Sequence, residues 1–169
     1  MSIEYIHFYG AVIVGLVATL IMDLWTIFLH RTFNITSLNY CLVGRWILHM
    51  PSGTFKHYNI AKTPKKTAEC IIGWISHYLI GIAFVFTLVI PTQGHWLAYP
   101  TLFPALLVGI ITVLIPFFIM QPSMGLGIAA SKTPYPTRAR LKSLITHTVF
   151  GFGLYLSALP TSYLLSIYD

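Results

Sequence analysis

The chain has 169 residues, enough for one domain, with a net charge of +6. Only 8% of its residues are charged, against roughly 25% in a soluble domain, and its mean hydropathy is +0.76. A charged soluble shell is therefore excluded. So is a basic nucleic-acid-binding face, because the Lys and Arg residues fall in two windows, Arg31 to Lys66 and Lys132 to Lys142, that flank apolar runs.

A spanning helix takes about 20 mostly apolar residues. The first such run is 8–29. No Lys or Arg precedes Arg31 and no small-residue cleavage site follows a short apolar core, so this helix is expected to be retained rather than cleaved as a signal peptide. The loop that follows holds SLNYCLVGRWILHM over 37–50, which is too short to span and ends at Pro51-Ser52-Gly53. It predicts a helix lying in the inner membrane interface, with a re-entrant segment as the alternative. Thr63-Pro64 and Thr133-Pro134 each pair a capping hydroxyl with a proline suited to a first helical turn, and the second and fourth spans, 70–90 and 144–167, are expected to follow them. The third span, 102–120, carries Pro116, which predicts a kink.

Residues 91–101 hold no Lys, Arg, Asp or Glu, whereas the other two connections hold every basic residue. The positive-inside rule then puts those two connections in the cytoplasm and Glu4 and Asp169 outside. Trp96, Tyr99, Tyr163 and Tyr168 would ring the outer interface. Cys41 and Cys70 fall on the cytoplasmic side without a CxxC spacing, so free thiols are expected.

The chain also repeats itself. Lys62-Thr63-Pro64, Thr67, Ile75, His77 and Gly81 recur 70 residues on as Lys132-Thr133-Pro134, Thr137, Ile145, His147 and Gly151. Ala11, Val14, Gly15, Leu20 and Ile21 recur 94 residues on as Ala105, Val108, Gly109, Leu114 and Ile115. The pattern predicts one membrane domain over 1–169. It is an all-α bundle of four transmembrane helices arranged as two parallel pseudo-symmetric hairpins, about 8–90 and 101–167, the first carrying the inserted interfacial helix 37–50.

Four polar side chains lie in or beside the spans. Asp23 is roughly 9 Å and His77 roughly 10 Å from the inner boundary at about 1.5 Å per residue; His147 is shallower, and Gln121 ends the third helix. Ala11, Gly15 and Thr19 lead to Asp23 at four-residue spacing, while Gly73 and Gly81 flank His77, and Ser143 and Gly151 flank His147. Such stripes of small residues mark packing seams. The two histidines are expected to face each other, with Asp23 close to one of them. One reading is a structural network; another is a proton or cation site. A metal or haem site using both histidines, with Met120 or Met124 nearby, has only two good ligands. No nucleophile motif suggests an enzyme, so no enzymatic activity, metal or cofactor is assigned. The loop 121–133 lacks the strand and the second glycine of a phosphate loop; Gly125, Gly127 and Ser131 are expected to pack it tightly or to gate the site. His30, His49 and His57, among Arg31, Arg45 and Lys56, are expected to meet anionic lipid headgroups, and His95 to lie outside and solvated.

The strings Ala18-Thr19-Leu20-Ile21-Met22-Asp23-Leu24-Trp25, Ser37-Leu38-Asn39-Tyr40 and Val43-Gly44-Arg45-Trp46 carry a resemblance, as do Pro116-Phe117-Phe118-Ile119-Met120-Gln121-Pro122 and the run Gly127 to Pro134. Over nearly its whole length the chain resembles a domain-of-unknown-function family of small bacterial inner-membrane proteins. The resemblance implies a multi-pass protein of the bacterial cytoplasmic membrane and brings no activity, substrate or cofactor. Proton or cation movement through the Asp–His cluster, in a homo-oligomer within the bilayer, is the expected function, with a structural or accessory role as the alternative.

Overall fold

The computed structural model describes residues 3–168, with side chains described from residue 6 to residue 167. The positions expected of Glu4, Tyr168 and Asp169 lie outside the described side chains. Among the described residues the chain is helical, without strands. Its helices are α1 (Ile3–Phe33), α2 (Tyr40–His49), α3 (Glu69–Val89), α4 (His95–Ala98), α5 (Leu102–Thr112), α6 (Gln121–Ser123) and α7 (Pro136–Tyr168).

Four stretches are long and apolar enough to cross a membrane: Ile6–Phe33, Glu69–Val89, Leu102–Ser123 and Pro136–Ile167. They leave large apolar side chains uncovered, among them Phe103 at 74% exposure and Leu79 at 59%. Water penalises that arrangement; lipid accepts it, because a helix satisfies its own backbone there. This is a membrane protein by the length and surface of its helices.

The fourth span starts eight residues before the expected 144. Pro136 takes the first helical position, where its missing N–H costs nothing, and Arg138, Ala139, Arg140 and Leu141 are good helix formers. Thr63 and Thr133 do not cap the helices after them. The Thr63 hydroxyl donates back to the Asn59 carbonyl at 3.1 Å and that of Thr133 to Ala130 at 2.8 Å. Each thus closes a short 3-10 turn, Ile60–Lys62 or Ile128–Ala130. Pro116 opens a π-helical segment, Pro116–Met120, in which the Gln121 N–H donates to the Pro116 carbonyl five residues back. A proline ring clashes with the carbonyl four residues before it, and a widened turn relieves that clash.

The chain divides into two compact units. Unit one comprises Met1–Thr36, Tyr78–Ile111 and Thr146–Asp169. Its core gathers Val14, Ala18, Val85, Leu97, Phe150 and Leu154. The backbones close up where Gly109 meets Gly151: a Cβ on Gly109 would lie 2.6 Å from the Gly151 Cα, so only glycine allows the approach. Trp96 belongs to this core at 3% exposure, its indole N–H donating to the Thr101 carbonyl at 3.0 Å. A local acceptor satisfies the indole N–H, so the ring can bury. Tyr99 and Tyr163 are 69% and 70% exposed.

Unit two comprises Ser37–His77 and Thr112–Ile145. α2 starts at its Asn39 cap, whose side chain accepts from the Cys41 N–H, and it crosses the first turns of α3. At the crossing a Cβ on Gly44 would lie 2.6 Å from the Gly73 nitrogen. This approach brings Cys41 and Cys70 into a disulfide, with their Cα atoms 3.8 Å apart. The free thiols expected from compartment alone are thereby overturned.

Candidate functional site

In unit one, Ala11, Thr19 and Asp23 of the predicted stripe are buried, at 0%, 0% and 5% exposure, and Gly15 is buried with them. The Thr19 hydroxyl returns to the Gly15 carbonyl at 2.7 Å, which removes its need for an outside partner. Asp23 cannot be satisfied in that way, because a carboxylate only accepts. The Tyr78 hydroxyl of α3 donates to its Oδ2 at 3.0 Å. Tyr78, directly after the predicted His77, is not among the polar residues expected at the site. The available signal was that a phenol one position further round α3 reaches a different neighbour.

The predicted residues are shared between the units. Asp23 and His147 belong to unit one; His77, Gln121, Gly125, Gly127 and Ser131 belong to unit two. His77 stacks on Tyr40 of α2 with ring centroids 4.0 Å apart, and Trp74 packs edge-on to it at 5.9 Å. His147 is half-buried, and its carbonyl lies against Gly109. Gln121 is buried at 7%, and its Oε1 has no hydrogen-bond partner among the described residues. Among the described residues, no three or more His, Cys, Asp or Glu side chains gather in a way that could hold a metal ion.

Unit two is organised around Arg45, buried at 4%. Its Nε and Nη2 donate to Glu69 Oε2 and Oε1, each at 2.8 Å, in a bidentate fork. Its Nη1 donates to the carbonyls of Ile60, Ala61 and Thr63 at 3.1–3.2 Å. Glu69 Oε2 also accepts from the Lys66 N–H. The hydrogen bond to Glu69 raises Arg45 above its ordinary pKa, against the pull of burial. The donors of Arg45 are therefore taken up within the unit.

The loop after the π-helical segment is braced by the chain before α3. His57 N–H donates to the Ser123 carbonyl at 2.8 Å and Ile60 N–H to that of Met124 at 3.1 Å. Gly125, at φ 87°, has the Tyr58 and His57 carbonyls where a Cβ would stand. Ala129 and Ala130 hold φ values of 47° and 59°. L-residues pay about 1–2 kcal/mol each for this region, and here the carbonyls of both are held, by Arg140 Nε at 2.8 Å and by the Thr133 hydroxyl. His57 lies below its ordinary pKa of 6.5, first because burial disfavours the imidazolium and then because of His49.

No curated protein and no solved structure matches the chain. The family model described as "Protein of unknown function (DUF2938)" matches residues 12–161, and the chain belongs to that family.

Proposed function

We propose that this is a non-enzymatic multi-pass protein of the bacterial cytoplasmic membrane that handles a proton or a small cation at Asp23. The observation that carries the reading is a carboxylate at 5% exposure inside an apolar span, met by the Tyr78 phenol. Ionisable groups at such depth are costly, at least about 2.5 kcal/mol on insertion scales, and by default mark ion or proton pathways. The half-buried His77 and His147 place further imidazoles in the second and fourth spans. The basic connections support cytoplasmic loops with periplasmic termini. The 3-10 turns before Thr63-Pro64 and Thr133-Pro134 support two pseudo-symmetric hairpins, with α2 as an inserted interfacial helix. Four helices seldom enclose a path, so the working form is a homo-oligomer in the bilayer.

A structural role is the second reading, favoured by the way unit one's polar groups satisfy one another. Ser157 donates to carbonyls on its own helix and, at 3.3 Å, to Val14 on α1, as a packing residue does. Proteoliposomes carrying a pH-sensitive dye separate the two. Asp23→Asn is expected to abolish proton or cation flux while leaving the melting temperature within a few degrees. Wild-type protein with no flux, together with a large loss of stability in Asp23→Asn, would establish the structural reading.

A further inference from the structure

Every Lys and Arg except Arg31 belongs to unit two, and Glu69 is that unit's one acidic residue. Glu69 is committed to Arg45 through both carboxylate oxygens. No carboxylate of the unit therefore remains to neutralise its lysines, and the unit presents a positive field to any anion.

Within that field lies an open cleft of about 540 Å³, lined among others by Lys56, His57, Gly125, Gly127, Ser131 and Lys132. Its walls are held before any ligand arrives, by the backbone bonds from His57 and Ile60 to Ser123 and Met124. Gly127, at φ 75°, has Lys132 Cγ 2.9 Å from where a Cβ would stand, so the glycine lets Lys132 and Ser131 close over the loop.

His57 contributes an unused ring nitrogen. The Thr63 hydroxyl donates to the Asn59 carbonyl at 3.1 Å, and the same oxygen lies 3.2 Å from His57 Nδ1. With the Thr63 proton given to the Asn59 carbonyl, Nδ1 carries a hydrogen and donates to Thr63. The other nitrogen, Nε2, is buried and has no partner among the described residues. Buried polar atoms are ordinarily paired, and this unpaired nitrogen belongs to a residue that lines the cleft.

We propose that this cleft binds a phosphate group, with Lys56 and Lys132 as counter-charges and Ser131 and His57 as hydrogen-bonding groups. Neutral, His57 Nε2 accepts from the P–OH of inorganic phosphate or from a headgroup hydroxyl of a phosphodiester lipid; protonated, it donates to a phosphate oxygen. Phosphate is favoured over a carboxylate because its tetrahedral oxygens can meet two ammonium groups, a hydroxyl and an imidazole at once. The site is narrower than a general attraction of basic loops for anionic lipid, and it stands apart from Asp23.

The test uses the full chain in nanodiscs. In phosphatidylcholine discs, inorganic phosphate is titrated calorimetrically; in parallel, native mass spectrometry follows phosphatidylglycerol retained from mixed vesicles. Phosphate binding in the neutral discs identifies a soluble phosphate ligand. Retention of phosphatidylglycerol alone identifies a lipid headgroup. In either case Lys56→Gln with Lys132→Gln is expected to weaken binding about tenfold or more, and His57→Gln to weaken it less. The control pair Lys62→Gln with Lys65→Gln removes equal charge outside the cleft and is expected to leave binding intact. The proposal is overturned if neither probe binds, if chloride at equal concentration competes as well as phosphate, or if the control pair weakens binding as much as the cleft pair. Asp23→Asn should not alter the result, so failure here and failure of the transport reading are distinguishable.

Discussion

At the scale of single residues, unit two turns on a buried ion pair, and that kind of contact has asymmetric energetics. Arg45 and Glu69 together are close to neutral for stability, because desolvation offsets their attraction; one without the other is a buried, uncompensated group. Glu69→Gln is therefore expected to cost about 3–5 kcal/mol. Arg45→Met combined with Glu69→Leu is expected to cost less than Glu69→Gln alone, and denaturant unfolding in detergent reads both. A single variant milder than the double would show that the three carbonyls on Nη1, rather than Glu69, hold Arg45 in place. His57 adds a pH dependence whose direction follows from its environment. Because its ring is buried, and then because the His49 ring lies 5.2 Å away, the folded state binds a proton less readily than the unfolded chain does. Its contribution to stability is thus complete above the ordinary value of 6.5 and is lost as pH falls through that value toward the lower folded one. Between about pH 7 and pH 5 the wild type should lose melting temperature faster than His57→Gln. Parallel curves would remove His57 from the account.

Among the elements, the crossing of α2 over α3 governs unit two. Gly44 and Gly73 let the two backbones touch, and the bond between Cys41 and Cys70, 29 residues apart in the chain, locks the contact. Loop closure of that length contributes roughly 3 kcal/mol, so Cys41→Ser should lower stability by about that much in non-reducing buffer. Gly44→Leu should be more damaging, since its side chain would occupy the space of the Glu69 carbonyl, and maleimide should then label two thiols that are blocked in the wild type. Little of this crossing was legible in the sequence. The spans were readable because a long apolar run has few alternatives to a membrane helix. The Ala11–Asp23 stripe was readable because helical periodicity puts residues four apart on one face. Arg45, by contrast, looked like a headgroup contact, because its partners are a carboxylate 24 residues away and carbonyls whose positions only the folded loop determines. Thr63 and Thr133 were misread for a related reason: a hydroxyl can serve the turn before it as well as the helix after it. The disulfide is not legible in the cysteine spacing because it depends on the backbone approach that Gly44 and Gly73 permit.

For the whole molecule, charge placement and disulfide chemistry make opposing demands on orientation. Every Lys and Arg falls in the windows Arg31 to Lys66 and Lys132 to Lys142, which the positive-inside rule assigns to the cytoplasmic side. The Cys41–Cys70 bond joins α2, in the first of these windows, to the first turn of α3 on the same side, and persistent disulfides belong to oxidising compartments. Labelling intact cells with a membrane-impermeant maleimide decides between them. In a background of Cys41→Ser and Cys70→Ser, His95→Cys samples the connection between the second and third spans and Thr54→Cys samples the first basic one. Both native side chains are exposed. The expected outcome is that His95→Cys labels in intact cells, while Thr54→Cys labels only after the membrane is opened. That pattern would make the native cysteines a reversible thiol–disulfide couple under cytoplasmic reductants, and rapid alkylation of growing cells should then trap a reduced fraction. The inverse pattern would reverse the orientation, make the disulfide a permanent brace, and turn the phosphate cleft toward the oxidising side, where a lipid headgroup or extracytoplasmic anion would be its only available ligand.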